Sequence, residues 1–513
     1  MTTSLPLLTL MIVVPTLGAL IVAALPGESA RHAKPVALGF SLVTLVLSVM
    51  AWAAFDTGST AMYQLSEVHP WIPQFGVSYA VGVDGIALAL IVMAAILTPI
   101  CLLAAWNDVD DEGPSRVKQY FALMLVLEAF MVGVFAATDV FLFYVFFEAM
   151  LIPVYFLIGL FGGARRQYAA MKFLLFSLAG GLIMLVAVIA VYFAGPGGSD
   201  GFLMEKLTGA ISASTNAERL MFLGFFIAFA VKAPMWPVHT WLPDAATEAR
   251  PATAVLLVGV LDKVGTFGMI RFCLQLFPEA SKWATPVVMT LAVISILYGG
   301  LLAIGQTDMM RLIAFTSISH FGFIVLGIFA MTSTAGAGSA LYMVNHGFST
   351  AGLFLLAGFL IARRGSKRIP DYGGWQRVTP VLAGTFLVAG LSSLALPGLS
   401  SFISEFLVLA GTWQVSKTAA VIATLGIVLA ALYILLMYQR VMTGPAPTFA
   451  DGHAPRDLSL REKFVVAPII ASFLILGFFP KPVLDLVNPA VEATLHYVGV
   501  TDPAPTQALG SNK

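Results

Sequence analysis

The sequence predicts an all-α polytopic membrane protein with about 14 transmembrane helices. Of its 513 residues, 59% are hydrophobic and only 11% are charged, whereas about a quarter of a soluble domain is charged. Apolar runs of about 20 residues, enough for one helix to cross a bilayer, recur from end to end. The connections between these runs are short, so no water-soluble domain is expected.

The predicted spans follow one another along the whole chain. The first has no basic residue before it and is long enough to cross a bilayer, so we do not expect a cleavable signal. The spans are predicted at 4–25, 35–55, 84–105, 119–137, 140–161, 169–194, 220–239, 252–276, 284–305, 311–330, 337–361, 379–413, 418–442 and 464–484.

The distribution of basic residues supports this count. If the first connection is cytoplasmic and the orientation alternates, most of the 27 lysines and arginines fall on the cytoplasmic side. Positive residues collect on that side of membrane proteins. The sequence therefore predicts an even number of spans with both termini outside.

Two of the predicted spans, the seventh and the twelfth, are expected to be broken. Pro234, Pro237 and Pro243 interrupt the seventh, and Pro397-Gly398 interrupts the twelfth, because proline cannot continue a regular helix. Broken helices at membrane depth surround cavities or ion sites. The five-span offset between them suggests two copies of one repeat in opposite orientations.

Composition excludes several classes of function. The 27 basic and 27 acidic residues balance, and the chain has no basic block that would indicate a nucleic-acid partner. Cys101 and Cys273 cannot supply a four-thiolate cluster, and the histidines lack close metal-ligand spacing. With no glycine-rich nucleotide fingerprint and no catalytic Ser/His/Asp arrangement, we expect no cofactor on this chain.

The informative residues are the ionisable ones inside the spans, which are costly there and usually functional. A buried lysine loses hydration, which disfavours its charged form, and an approaching carboxylate restores it. A histidine can accept a proton on one nitrogen and release one from the other. The principal candidates for a proton relay are Glu148, Lys232, Lys263, His320, His346 and Glu405; the secondary candidates are Glu128, Asp262 and His239.

Structural alternatives remain open for each of these residues. The carboxyl groups could serve only to bond a neighbouring helix, and the lysines could sit in fixed ion pairs. For Glu128 the structural and functional interpretations are equally good. Asp262 beside Lys263 could merely neutralise it, although adjacent side chains on a helix point about 100° apart.

Four stretches resemble the antiporter-like membrane subunits of respiratory complex I, which Mrp-type cation/proton antiporters share. The similarity runs from about residue 80 to 445, and the second stretch is highly specific. Glu405 and the short tail after the last span make the chain most similar to the group called subunit M, the counterpart of mitochondrial subunit 4. The stretches are TDVFLFYVFFEAMLIPVYFLIG, FAVKAPMWPVHTWLPDAATEARPATAVLL, DMMRLIAFTSISHFGFIVLG and LALPGLSSFISEF.

The resemblance implies a role for each principal candidate. Glu148 and Lys232 match the family's pair in the first repeat, Lys263 matches the central lysine, and Glu405 matches the carboxyl on the exit side. The two histidines match the linking polar groups. Asp262 departs from the family, where an apolar residue is expected before the central lysine.

The resemblance also implies a domain organisation of two inverted five-helix repeats. Helices 1–3 occupy residues 1–110, the first repeat 111–277 (helices 4–8) and the second repeat 278–445 (helices 9–13). Helix 14 and the C-terminal tail occupy 446–513.

The function implied is proton translocation within a bacterial NADH–quinone oxidoreductase, a translocase of the respiratory chain. Flavin, iron–sulfur clusters, NADH and quinone are expected on partner subunits, with subunits L and N as neighbours, lipid around the chain and the hydrophilic arm as an indirect partner. The expected location is the bacterial inner membrane. The alternatives are a sodium/proton antiporter subunit of the Mrp type and, less favoured, a structural scaffold.

Overall fold

A computed structural model describes residues 5–449 and 453–503, without the side chains of 28–30. These residues form α-helices and one small antiparallel sheet. The helices are α1 (Leu7–Ala24), α2 (Ala33–Ala54), α3 (Gly85–Ala104), α4 (Pro114–Ala136), α5 (Val140–Ala149), α6 (Leu151–Phe161), α7 (Arg166–Ala194), α8 (Met204–Leu207), α9 (Thr215–Lys232), α10 (Trp241–Glu248), α11 (Pro251–Ala254), α12 (Lys263–Gly268), α13 (Pro278–Ile304), α14 (Met309–Ala330), α15 (Ser333–Arg364), α16 (Pro380–Ser393), α17 (Ser400–Val415), α18 (Lys417–Met442), α19 (Leu460–Phe478) and α20 (Lys481–Val498).

Eleven helices or helix runs in the described part of the chain are long and apolar enough to cross a membrane, or 12 if the bent pair α19 and α20 counts as one span. The chain is therefore a multi-pass helical membrane protein, as predicted. The predicted spans at 220–239 and 379–413 fall outside this set. The 18 residues of α9 include three charged ones, Glu218, Arg219 and Lys232, and the other segment is split into two shorter helices. The count of 14 and the inverted repeats stay predictions.

The helices differ in where their side chains face. Every residue in the apolar windows of α14 and of the Pro251–Leu274 run is buried, against 28% of the window in α2. The outer helices present leucine, valine and phenylalanine to the surroundings, as expected where lipid replaces water. The ionisable residues inside the membrane lie mainly on the central helices.

The break after α9 has the predicted proline-rich form. The helix ends at Lys232, and helical structure resumes at Trp241. The indole Nε1 of Trp241 donates to the carbonyl of Val231 at 2.9 Å, so one carbonyl freed by the break keeps a partner. The carboxylate of Asp244 on α10 accepts from Lys172 and Arg311, each at 2.6 Å, which anchors α10 to α7 and α14.

The break between α16 and α17 also lies where it was predicted. Residues 394–399 are not helical, and Ala395 and Gly398 adopt φ values of +62° and +90°, a region that favours glycine. The side-chain amide of Asn345 on α15 donates to the carbonyl of Ser400 at 2.5 Å and to Ser404 Oγ at 3.1 Å. These bonds fix the start of α17 against the buried centre.

Two elements were missed by the sequence interpretation. Residues 56–83 were treated as a connection, but β1 (Gln64–Ile72) and β2 (Val77–Val83) pair there as an antiparallel hairpin. Only a short tail was expected after the last span, but α20 continues at 68° to α19 and buries Leu486, Val487 and Val491 along one face. The two strands are too short to cross a membrane, and α20, although it has 18 residues, lacks the uniform apolar character of a span.

Candidate functional site

Lys232 lies at the end of α9 in an apolar pocket. Its side chain is fully buried, and its Nζ lies 5.1 Å from the centroid of the Phe147 ring and 5.3 Å from that of Phe173. It forms no hydrogen bond with any described residue. The two aromatic faces offset only part of the loss of hydration, so the stability of the charge on Lys232 depends on the acidic groups near it.

Glu148 is the acidic group that acts on Lys232. It follows Phe147 on α5, is partly exposed, and interacts electrostatically with Lys232. The two are not joined by an ion pair within 4.0 Å. A Cβ added to Gly181 of α7 would lie 1.6 Å from Glu148 Oε1, so glycine provides the space that the carboxylate occupies. The predicted pair is therefore brought near but not into contact.

Lys263 is buried to the same degree but makes two hydrogen bonds. Its Nζ donates to the carbonyl of Val258 at 2.7 Å and contacts His346 Nδ1 at 2.7 Å. An ammonium group has no acceptor, so His346 Nδ1 accepts and its proton resides on Nε2. That nitrogen lies 3.0 Å from Thr350 Oγ1.

His320 and His346 lie side by side, with ring centroids 5.3 Å apart. The sequence left the order of the two histidines open, and the structure settles it: His346 contacts Lys263, and His320 lies on the far side of His346. His320 Nε2 has two distant partners, the hydroxyl groups of Ser393 and Tyr433, each at 3.4 Å. The order in space is therefore Lys263, His346, His320.

Tyr342 joins His320 to Glu405. Its hydroxyl lies 2.7 Å from His320 Nδ1 and donates to Glu405 Oε2 at 3.2 Å. The Tyr342 hydroxyl has one proton and donates it to the Glu405 carboxylate. In its bond with His320 the hydroxyl is therefore the acceptor, and His320 Nδ1 carries the proton. Glu405 is 3% exposed. The sequence interpretation missed Tyr342, although its spacing of four residues from His346 places both on one face of α15.

The three secondary candidates have separate surroundings. Asp262 is fully buried and neither of its carboxylate oxygens has a hydrogen-bond partner among the described residues. Glu128 is equally buried, and its carboxyl group forms no hydrogen bond within the described part of the chain, so it is not bonded to any relay residue. His239 lies in the non-helical segment between α9 and α10. Its ring meets that of Tyr298 edge to face, with ring centroids 5.0 Å apart.

Comparisons with known proteins identify the family of this chain. Residues 137–430 match the family described as NADH:quinone oxidoreductase/Mrp antiporter, TM. The chain is 51% identical to NADH-quinone oxidoreductase subunit M of Mycobacterium tuberculosis H37Rv, over 98% of this chain and 96% of that protein. It is 37% identical to NADH-ubiquinone oxidoreductase chain 4 of Marchantia polymorpha, over 94% of this chain and 95% of that protein.

Solved structures have the same fold. A chain of respiratory complex I from Thermus thermophilus with bound NADH superimposes with a TM-score of 0.87 at 31% identity, covering 96% of this chain and all of that one. A chain of the Mrp complex from Dietzia sp. DQ12-45-1b reaches a TM-score of 0.84 at 22% identity, covering 97% of this chain and 100% of its own. At that lower identity the second likeness is one of fold alone.

Proposed function

Since this chain belongs to the subunit M family of NADH–quinone oxidoreductase, which includes the mitochondrial chain 4 proteins, we propose that it translocates protons through the buried run of residues described above. It is an antiporter-like membrane subunit of that enzyme and works with the other subunits of complex I. Electron transfer elsewhere in the complex drives the step that this chain performs.

The observation that carries the proposal is the run of contacts from Lys263 to Glu405. Each member can accept a proton and release it: an amine, two imidazoles, a phenol and a carboxylate. The bonds on the far side are consistently directed, from His320 Nδ1 to Tyr342 and from Tyr342 to Glu405. A proton that reaches His320 is thereby offered a route to Glu405.

The Glu148–Lys232 pair is the proposed control element. At an effective dielectric constant of about 20, unit charges attract by about 4 kcal/mol at 4 Å and by about 2 kcal/mol at 8 Å. A displacement of Glu148 by a few ångström therefore changes the stability of charged Lys232 by about 2 kcal/mol. Moving one charge through 100 mV costs about 2.3 kcal/mol, so the two quantities match in size.

In the proposed cycle, a neighbouring subunit shifts Glu148 away from Lys232, and Lys232 releases its proton toward Lys263. An N–H bond of Lys263 breaks as one forms at His346 Nδ1, and His346 then releases the proton of its Nε2 toward His320, whose ring lies beside it without a direct hydrogen bond. His320 and Tyr342 pass a proton on to Glu405. Glu405 releases it on the outer side. Return of Glu148 then favours reprotonation of Lys232 from the cytoplasm.

The setting of the chain is part of the proposal. We infer that flavin, iron–sulfur clusters, NADH and quinone bind to partner subunits. An iron–sulfur cluster needs about four cysteine ligands, whereas Cys101 and Cys273 are both buried and lie far apart in the sequence. We place it in a bacterial inner membrane between subunits L and N, with both termini outside. The 14-span, two-repeat arrangement belongs to the same proposal.

A sodium/proton antiporter subunit of the Mrp type is the second candidate, because the description of the matched family also covers Mrp antiporters. The 51% identity to a subunit M over nearly the whole chain favours the first candidate. Purification in mild detergent separates the two: hydrophilic iron–sulfur subunits that co-purify with the chain support the oxidoreductase, and their replacement by other antiporter subunits contradicts it.

The direct experiment is Lys232→Ala in the whole complex, reconstituted in vesicles. We expect assembly and electron transfer from NADH to a soluble acceptor to persist, while the number of protons pumped per NADH falls by this subunit's share. Lys206→Ala is the matched control, because that lysine is half exposed and paired with Asp200. Normal pumping stoichiometry in Lys232→Ala would contradict the proposal.

A further inference from the structure

Asp262 is a buried carboxyl group that the proposed cycle does not use. It is 0% exposed, and both of its oxygens lack a hydrogen-bond partner among the described residues. Burying a polar group without a partner costs several kcal/mol, and burying an unpaired charge costs more. A group kept under these conditions beside a proton route is a candidate for function.

The packing of α12 shows which way Asp262 faces. A Cβ added to Gly265 would lie 2.5 Å from the carbonyl oxygen of Phe229, and one added to Gly268 would lie 2.5 Å from the Phe229 ring. These glycines therefore form the face of α12 that packs on the end of α9. Asp262 lies three residues before Gly265, one turn along the same face, and so points toward the end of α9 that carries Lys232.

Lys263 projects from a different side of the same helix, about 100° around the axis from Asp262. The backbone before it is a π-helical stretch, Val255–Leu261, and the amide of Asp262 bonds five residues back to Leu257 at 3.1 Å. Lys263 Nζ bonds the carbonyl of Val258 and reaches His346. Local π-helical turns often occur at functional sites, and this one sends two consecutive ionisable side chains in different directions.

The carboxyl group of Asp262 interacts electrostatically with both Lys232 and Lys263, yet no ion pair within 4.0 Å joins it to either. An ordered water can take the place of a direct hydrogen bond between polar groups that lie more than about 3.5 Å apart. Lys232 has no hydrogen bond of its own to any described residue, and both bonds of Lys263 lie on the other side. Asp262 is thus the titratable group placed between the two lysines.

We propose that Asp262 carries the proton between Lys232 and Lys263. The step rests on the proposed function and deepens it. An N–H bond of the Lys232 ammonium breaks as an O–H bond forms on Asp262, through bridging water. That O–H bond then breaks as an N–H bond forms on Lys263, whose amine is neutral after its own proton has passed to His346. Charge balances at each stage, since Asp262 alternates between carboxylate and carboxylic acid.

The experiment compares Asp262→Asn and Asp262→Glu with Lys232→Ala in the reconstituted whole complex. Asparagine keeps the shape but cannot carry a proton, whereas glutamate can. We expect Asp262→Asn to lose as many protons per NADH as Lys232→Ala does, and Asp262→Glu to keep at least half of that share. Full stoichiometry in an assembled Asp262→Asn complex, alongside a loss in Lys232→Ala, overturns the inference while leaving the proposed function intact.

Infrared difference spectra between the resting and the turning-over complex separate proton carriage from a fixed counter-charge. A carboxyl C=O band that shifts in Asp262→Glu and disappears in Asp262→Asn supports the inference. Spectra in which neither variant changes any carboxyl band overturn it, even if pumping falls, because Asp262 would then never change protonation. If Asp262→Asn does not assemble, the band shift in Asp262→Glu decides the question alone. Normal pumping in Lys232→Ala would instead contradict the proposed function.

Discussion

The two central lysines are buried equally and surrounded differently. Lys232 lies between two aromatic rings without a hydrogen bond to any described residue, and its carboxylate Glu148 stands off beyond ion-pair distance. Lys263 makes two hydrogen bonds at 2.7 Å, one of them to His346, whose ring lies beside that of His320. The comparison indicates that the first region controls when a proton moves and the second conducts it.

The controlling role of the first region depends on the charge of Glu148. In Glu148→Gln the partner of Lys232 keeps its shape and loses its charge, so its distance no longer alters the stability of the ammonium. We expect protons pumped per NADH to fall by nearly this subunit's whole share. Glu279→Gln, on an exposed glutamate paired with Lys282, should leave the number of protons pumped per NADH unchanged. Equal values for both variants would contradict a controlling role for Glu148.

The position of Glu148 is tested by Gly181→Ala. The new methyl group would lie 1.6 Å from Glu148 Oε1 and must displace the carboxylate, changing its distance from Lys232 without removing a charge. Pumping should fall several-fold less than in Glu148→Gln but measurably. Gly39→Ala is the control, since a Cβ there meets no atom within 4 Å. A Gly181→Ala complex that pumps like the parent would show that the distance does not matter.

Tyr342→Phe tests the conducting role of the second region, the residues from Lys263 to Glu405. This removes the hydroxyl that joins His320 to Glu405, and water entering the gap should restore part of the connection. We expect about half of this subunit's share of pumping to be lost. Tyr433→Phe removes only a contact at 3.4 Å and should cost less. If Tyr433→Phe is the more damaging variant, the route to Glu405 does not pass through Tyr342.

The smallest effect on pumping is expected from Asn345, which holds the start of α17, the helix that carries Glu405. Asn345→Ala removes two hydrogen bonds to the start of α17, each worth about 1 kcal/mol. The purified complex should unfold at a temperature a few degrees lower, with pumping largely retained. A severe loss of pumping at unchanged thermal stability would instead give Asn345 a part in conduction.

The sequence was informative where residue type and surroundings conflict. Each charged residue of the run could be found because an ionisable group inside an apolar span is rare and costly, and both helix breaks could be found from proline. Tyr342 lacks this contrast, since a tyrosine fits an apolar helix and only its spacing from His346 marks it. The order of the two histidines depends on how α14 packs on α15, which no local pattern contains.

Two further features of the structure could not be predicted from local sequence patterns. The hairpin and α20 are too short or too mixed in composition to stand out among apolar spans. Helix geometry already separates the directions of the neighbours Asp262 and Lys263, but only the packing of α12 on α9 shows which of them faces Lys232.

The central claim is that one proton route passes from the first region into the second at Lys263. The most direct test is Lys263→Met, which keeps the length and apolar character of the stem and removes the amine. Protons pumped per NADH are measured in reconstituted vesicles, with Lys282→Met, on an exposed lysine, as the control. The account predicts that Lys263→Met loses the same share as Lys232→Ala and that combining the two loses no more. Retained pumping in Lys263→Met, or additive losses in the double variant, would contradict a single route.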